Sequence, residues 1–259
     1  MENSIQIYHH LGLGDHIICN GLIREISKKF DVVYLITKEK YIKSVKYMYR
    51  DLHKIILVPV LNDDDANKKI DKNIGLIKIG FDKFNRKYEV FDQSFYSQVG
   101  LDFSHRWKSF YFERNSTQEE HLYRILNPTN EPYIFIHDDP SRLLNIDFVK
   151  IRTKYKKIRI YDEIKKTKGK LLDEFTIFDY SMVLERASEI HCIDSSFKNL
   201  VDSMANIKAK LYFHQYVKGD KECSTVREYW KVIDEPTLFF KLYINVLRII
   251  HRIIHSIYL

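Results

Sequence analysis

The stretch LGLGDHIICNGLIREI, residues 11–26, sets two glycines and a carboxylate between an apolar run and the onset of helical periodicity, with a histidine directly after. A plain turn needs one such residue. Gly12 and Gly14 open backbone angles closed to other residues and let a substrate come up against the main chain. A helix beginning near Asp15 would turn free N–H groups toward an anion. The spacing is not the dinucleotide fingerprint, because no third glycine follows where that motif needs one. Asp15 has two readings. Its short carboxylate suits a helix N-cap, and it also suits a general base at the mouth of a cleft, taking a proton from an attacking hydroxyl. His16 joins Asp15 as a candidate for proton transfer, and of the neighbouring pair His9 and His10, His10 is carried as the hydrogen-bond partner of substrate or of Asp15.

Other residues have chemistry to offer as well. Asp63 and Asp65 form an acid-x-acid pattern of the kind that holds a divalent cation and a diphosphate, although they sit among lysines in a polar stretch. His9 and His10, adjacent on a strand, would point to opposite faces, which argues against a shared metal with His16 or His137. Trp107 and the aromatics around it could stack on a sugar ring, while their density fits a core equally. Ser195 lacks the G-x-S-x-G elbow of acyl-transfer enzymes.

The elements that must position these groups alternate. SIQIYHH reads as a strand, HIICNGLIREISKKF as a helix, DVVYLIT as a strand, KYIKSVKYMYRDL as a helix and KIILVPV as a strand. LNDDDANKKIDKN reads as an exposed loop or the cap of a short helix, and IGLIKIG as a weak strand. Residues 91–112 are rich in aromatics without a period and read as irregular. STQEEHLYRILNP carries a capping box, Ser116 or Thr117 with Glu119 or Glu120, and stops at Pro128. A second series follows, with strands in PYIFIHDDPSR, KKIRIYDE, SEIHCIDSS and AKLYFHQY and helices in TIFDYSMVLERA and FKNLVDSMA. Alternation of this kind implies right-handed crossovers and mostly parallel sheets, hence an α/β protein of two Rossmann-like halves with a cleft between them. The expected division is 1–128, 129–235 and a terminal amphipathic helix at 236–259. Ligands of such sheets lie beyond the carboxyl ends of the strands, where the loops Gly12–His16, His137–Arg142 and Asp194–Ser196 fall.

Composition agrees with a folded chain of this size. The 259 residues are 45% hydrophobic and 14% aromatic, with a formal charge of +7 spread through most segments. No basic stripe is present for nucleic acid, so none is expected as a partner. Cys19, Cys192 and Cys223 are too few and too far apart for a disulfide framework or a zinc cluster and read as reduced. With no basic-then-apolar leader at the N-terminus, the expected location is cytoplasmic. In LFFKLYINVLRIIHRIIHSIYL the polar residues Lys241, Asn245, Arg248, Arg252 and His255 recur every three or four positions, which argues against a spanning helix. Two readings stay open for it: packing across the body, or peripheral contact with anionic lipid.

HLGLGDHIICNGLIREI resembles the amino-terminal motif of the heptosyltransferase-like glycosyltransferases, and HCIDSSFKNLVDSMA resembles their carboxyl-half motif, in the same order and at a similar separation. Together the motifs cover about thirty residues. The resemblance implies a GT-B fold, with two Rossmann-like domains facing a central cleft. It implies transfer of a hexosyl or heptosyl unit from a nucleoside diphosphate sugar to a hydroxyl of a glycan or glycolipid. On this reading Asp15 is the base, Gly12, Gly14 and His10 line the substrate, and Asp194, Ser195 and Ser196 hold the donor's sugar and diphosphate. Arg142 or Lys198 would add positive charge, and neither metal nor cofactor would be required. The chain is shorter than most members, and where members often carry a basic residue in the first loop of the second half it has HDDPSR. Two other readings remain: a metal-dependent sugar transferase using Asp63 and Asp65, and a non-catalytic protein that keeps the fold to bind nucleotide, glycan or partner.

Overall fold

The β-branched runs of the chain build two parallel sheets in a computed structural model that describes residues 3–81, 90–151, 154–161, 174–217 and 223–257. In the first sheet β1 (Ser4–Tyr8), β2 (Val32–Lys38), β3 (Ile55–Val60) and β4 (Gly75–Lys78) lie in the order β3-β2-β1-β4. The register pairs Ile5 with Val33 and Ile7 with Leu35, so apolar rows run across the sheet. Helices α1 (Leu13–Ile18) and α2 (Asn20–Ser27) follow β1, α3 (Ile42–Met48) follows β2 and α4 (Asp63–Lys69) follows β3.

The second sheet comprises β5 (Tyr133–Asp138), β6 (Lys156–Tyr161), β7 (Glu189–Cys192), β8 (Lys210–His214) and β9 (Trp230–Ile233), all parallel, in the order β6-β5-β7-β8-β9. All six residues of β5 are buried, as expected for an inner strand covered on both faces. Helix α8 (Ser181–Glu185) precedes β7, and α9 (Ser196–Ser203) leaves its carboxyl end. One continuous apolar core contains Ile7 of the first sheet and Phe135 and Phe213 of the second, so the two units are fused through their interiors.

Several elements differ from the sequence reading. The first helix is broken at Cys19 into α1 and α2. Residues 91–112 are helical in two pieces, α5 (Phe91–Ser97) and α6 (His105–Lys108). Helix α7 (Ser116–Leu126) is capped by Asn115, whose side chain accepts from the Gln118 N–H at 3.2 Å, and not by Ser116 or Thr117. Glu119 is drawn off instead by Arg114. Strand β9 escaped the sequence reading because the alternation in WKVI is too short to show. The last residues of the expected strand KKIRIYDE, Asp162 and Glu163, lie outside the described residues.

A buried polar cluster joins the halves. Arg106 is fully buried and makes ion pairs with Asp92 and, at 3.4 Å, with Asp202. Asp92 also accepts from Thr225 through its N–H at 2.9 Å and its hydroxyl at 2.8 Å. Asp202 accepts from the indole N–H of Trp107 and of Trp230, each at 2.9 Å. Trp107 is thus committed to this joint and not to a sugar. Removing the guanidinium would leave buried Asp92 without its cation and Asp202 with Arg227 alone, at 3.8 Å. Arg106→Met is therefore expected to cost about 3–5 kcal/mol in urea unfolding; a loss below about 1 kcal/mol would show that the halves are held by apolar packing alone.

The terminal helix α10 (Leu238–Ile257) starts where the Thr237 N–H donates to Asp147 Oδ2 at 2.7 Å, and it seats Phe240 against Tyr216 with Ile244 buried. No described helix is long and apolar enough to cross a membrane.

Candidate active site

The loop from β1 into α1 does not use its glycines for unusual backbone angles. Gly12 sits at φ −75°, ψ 148°, open to any residue, and the positive-φ glycines among the described residues are Gly80 and Gly100. The need is for space. A Cβ on Gly12 would stand 2.5 Å from Asp15 Oδ2, and one on Gly14 would stand 3.2 Å from Asn199 Nδ2 and 3.7 Å from the Ser196 backbone. Gly12 therefore lets the Asp15 side chain fold back over it, and Gly14 lets α1 touch the first turn of α9. The two sequence motifs meet at this contact.

Helix α1 begins at Leu13 with Gly12 as N-cap and no side-chain cap, so Asp15 lies within the first turn and does not cap it. Asp15 lines a cleft of about 510 Å³ with His10, Gly12, Lys38, Asp63 and Lys78. Each wall residue lies at or just beyond the carboxyl end of a first-sheet strand, as open parallel sheets require. His10 accepts from the Phe81 N–H at 3.2 Å through Nε2, which leaves the proton on Nδ1, and its ring stacks on Phe81 at 4.6 Å. Burial lowers its pKa, with Asp63 pulling the other way. Phe81 itself holds φ +56°, a left-handed conformation uncommon for an aromatic residue. The sequence reading missed Lys38, Lys78 and Phe81; the signal was available for the lysines, since each is the last residue of its strand.

His16 is not at the cleft. One residue past Asp15 is a third of a turn around the helix, which points the imidazole into the core. It is fully buried and packs edge-on against His9 at 4.3 Å, with neither ring nitrogen hydrogen-bonded. Desolvation holds its pKa well below 6.5 and that of His9 at about 4. Both rings are neutral and structural.

Asp63 and Asp65 do not converge on one point. Asp63 accepts from the Tyr8 hydroxyl at 2.6 Å at the cleft wall, while Asp65 accepts from the Leu61 N–H at 2.9 Å and pairs with Lys69 at 3.1 Å. Among the described residues no three His, Cys, Asp or Glu side chains are grouped to hold a metal.

The second motif forms the turn from β7 into α9. Ser195 is the N-cap, its hydroxyl accepting from the Lys198 N–H at 3.3 Å, and Ser196 opens the helix against Gly14. Lys198 is fully buried. Its ammonium lies 3.0 Å from Asp194 Oδ1, donates to the Ser224 carbonyl at 2.9 Å and also contacts the Ser224 hydroxyl. The cation expected to face a diphosphate thus neutralises Asp194 and ties down the 223–225 loop. Arg142 is likewise paired, through Nε, with Asp139 beside it, because the loop supplies two acids before its arginine. The first of those acids, Asp138, takes Arg159 at 2.6 and 2.9 Å. Asp194, Ser195 and Ser196 do not line the cleft that holds Asp15.

A second cavity of about 470 Å³ lies beyond the carboxyl ends of β5, β8 and β9, walled by Asn145, Tyr216, Asp234, Glu235 and, from α10, Phe240 and Lys241. None of these was singled out from sequence as a binding residue; Tyr216 and Asp234 follow their strands closely, but β9 had gone unread.

No family model and no curated protein sequence matches the chain. Solved structures do match in fold. A glycosyl transferase of family 9 from Veillonella parvula superposes with a TM-score of 0.55 at 10% identity, over 96% of this chain and 90% of that one. The ADP-heptose LPS heptosyltransferase II of E. coli does so with 0.54 at 8% identity, over 89% and 90%. TibC, a dodecameric iron-containing heptosyltransferase solved with ADP-D-β-D-heptose, gives 0.52 at 12% identity, over 89% of this chain and 62% of that one. The shared architecture is two Rossmann-like units of GT-B type.

The buried imidazoles set a pH dependence. In the unfolded chain they take up protons as pH falls through 6.5, whereas folded His9 does so only near 4, so stability present above 6.5 is lost between those values. The loss from His9 alone reaches at most about 3 kcal/mol near pH 4. Urea midpoints are expected to fall from about pH 7 to about pH 5, and His16→Met to flatten that fall while leaving the neutral-pH unfolding free energy within about 1 kcal/mol. An unchanged slope in this variant would overturn the assignment.

Proposed function

We propose that the protein is a glycosyltransferase that moves a sugar from a nucleoside diphosphate sugar to a hydroxyl of a glycan or glycolipid acceptor, with Asp15 as general base and no metal. The single observation that carries this reading is the placement of Asp15. Its carboxylate stands in a cleft at the carboxyl edge of the first sheet, on a helix whose first turn touches the first turn of α9. A base on one unit and a helix N-terminus on the other are what transfer from a diphosphate donor needs: one takes the acceptor's proton, the other stabilises charge on the departing diphosphate. Residues 1–128 would form the acceptor side, residues 129–235 the donor side, and 236–259 the terminal helix.

In this scheme the acceptor enters beside His10, Lys38 and Lys78, whose N–H groups can donate to its hydroxyl oxygens. The donor's nucleotide occupies the second cavity, where Tyr216 and Phe240 offer aromatic faces and Asp234 and Glu235 offer acceptors for ribose hydroxyls. The C1–O bond to the diphosphate breaks as the acceptor oxygen attacks C1; Asp15 takes the hydroxyl proton and the diphosphate leaves as the nucleotide. Ser195 and Asp194 shape the turn that aims α9, with Lys198 holding Asp194 in place.

One observation favours a second reading. The cations expected at the diphosphate, Lys198 and Arg142, are both paired with carboxylates, as they could be in a binding protein that kept the fold without turnover. The two readings separate in one experiment. A thermal-shift panel of nucleoside diphosphate sugars identifies the donor, since a true ligand stabilises in proportion to occupancy. With that donor and an acceptor pool, Asp15→Asn is expected to lower turnover by about 10²–10⁴-fold while the donor-induced shift is retained. Gly12→Ala, which displaces the Asp15 carboxylate, is expected to lower turnover with little change in unfolding midpoint. Equal rates for Asp15→Asn and the parent would remove Asp15 from its role, and a flat panel would favour the non-catalytic reading.

A further inference from the structure

Helix α10 has two sides. The inner side carries Phe240 and Ile244 into the body, and the outer side is apolar and uncovered: Leu238 and Phe239 are each 75% exposed and Leu242 is 60% exposed, with Tyr243, Val246, Ile249 and Ile250 also exposed. At about 100° per residue these seven positions fall within about 140° of arc, and they extend over about 18 Å of helix. So ordered a strip differs from the scattered surface apolars that every protein carries.

Charge says what covers it. After Glu235 the sequence contains no acidic residue, while Lys241, Arg248 and Arg252 recur at helical spacing along one flank of the apolar arc. Lys241 pairs with Glu235 at 3.1 Å, but both are exposed, so this contact screens little of the flank's charge. A second copy of the chain laid antiparallel against the strip would bring the same three cations beside these, and in either sense it would leave the basic flank without an acidic counterpart on this helix. A surface that is apolar beneath and negative above matches both features at once. We propose that the outward face of α10 lies in the plane of an anionic phospholipid surface, its apolar arc in the acyl boundary and its basic flank among the headgroups. The inference stands apart from the transferase reading, because it rests on the terminal helix alone and is tested without activity.

The test is cosedimentation of the full chain with phosphatidylcholine vesicles, either pure or with about a third phosphatidylglycerol. Binding to the anionic vesicles is expected to exceed binding to the neutral ones at least about tenfold and to weaken as salt is raised. Phe239→Ser with Leu242→Ser and Val246→Ser is expected to lower it at least about tenfold with an unchanged thermal transition, since the three side chains touch solvent. Arg248→Gln and Arg252→Gln are each expected to lower it about fivefold, a readout independent of how the triple variant folds. No sedimentation with either vesicle, or equal sedimentation with both, would overturn the proposal. So would a concentration-dependent dimer that the triple variant dissociates in a chain that does not bind lipid, which would assign the strip to a second copy.

Discussion

The approach of α1 to α9 is the constraint on which the molecule depends, and it exists because position 14 carries no side chain. A Cβ there would crowd the Asn199 amide at 3.2 Å and meet the Ser196 backbone in ordinary contact at 3.7 Å, and a longer side chain would press the two first turns apart. Asn199 is in turn fixed by Arg106 and Ser224, so the contact rests on the same buried polar cluster that joins the two sheets. Packing at one glycine and charge balance around one arginine act together: the first sets how near the halves come, the second resists their separation. Two units each built to bind at the carboxyl edge of a parallel sheet are thereby turned toward each other. The cavities on either edge follow from the strand order and need no special loop.

Much of this architecture was readable before any coordinate. The apolar runs in SIQIY, VVYLITK and YIFIH are dominated by β-branched and aromatic residues and are bounded by polar turns, and a parallel sheet buries such runs, so their strands stand out. What escaped was set by partners distant in sequence. Strand β9 is four residues long and is a strand because it pairs with β8, not because WKVI demands it. The helices in 91–112 are stabilised by contacts of Arg106 and Asp92 with residues more than ninety positions away, which no local period records.

The candidate site divides along the same line. Asp15, His10, Gly12 and Gly14 all follow the end of β1, and strand ends are a local matter, so all four fall at or beside the cleft or the α1–α9 contact. Lys198, Arg142 and His16 carry groups suited to the chemistry, but each has a competing neighbour. Lys198 is one helical turn beyond Asp194, the i to i+4 spacing at which opposite charges meet. Arg142 follows Asp139 by three residues. His16 is adjacent to Asp15, and adjacency on a helix places two side chains on different faces. In each case the sequence held the reason for the miss, in spacing that favours pairing or burial over an open site.

Pairing of the expected cations changes the electrostatics that any anionic ligand would meet. With Lys198 spent on Asp194 and Arg142 on Asp139, the second unit's edge presents near-neutral pairs, and at the other wall Lys38 and Lys78 are balanced by Asp15 and Asp63. Neither edge then offers an uncompensated cluster of cations, and the second cavity presents aromatic faces and carboxylates. The helix that walls this second cavity with Phe240 is also the one whose outer face is uncovered, so the cavity wall and the outer strip belong to a single element. Cavity and surface strip are opposite sides of one helix, and whatever orders α10 orders both.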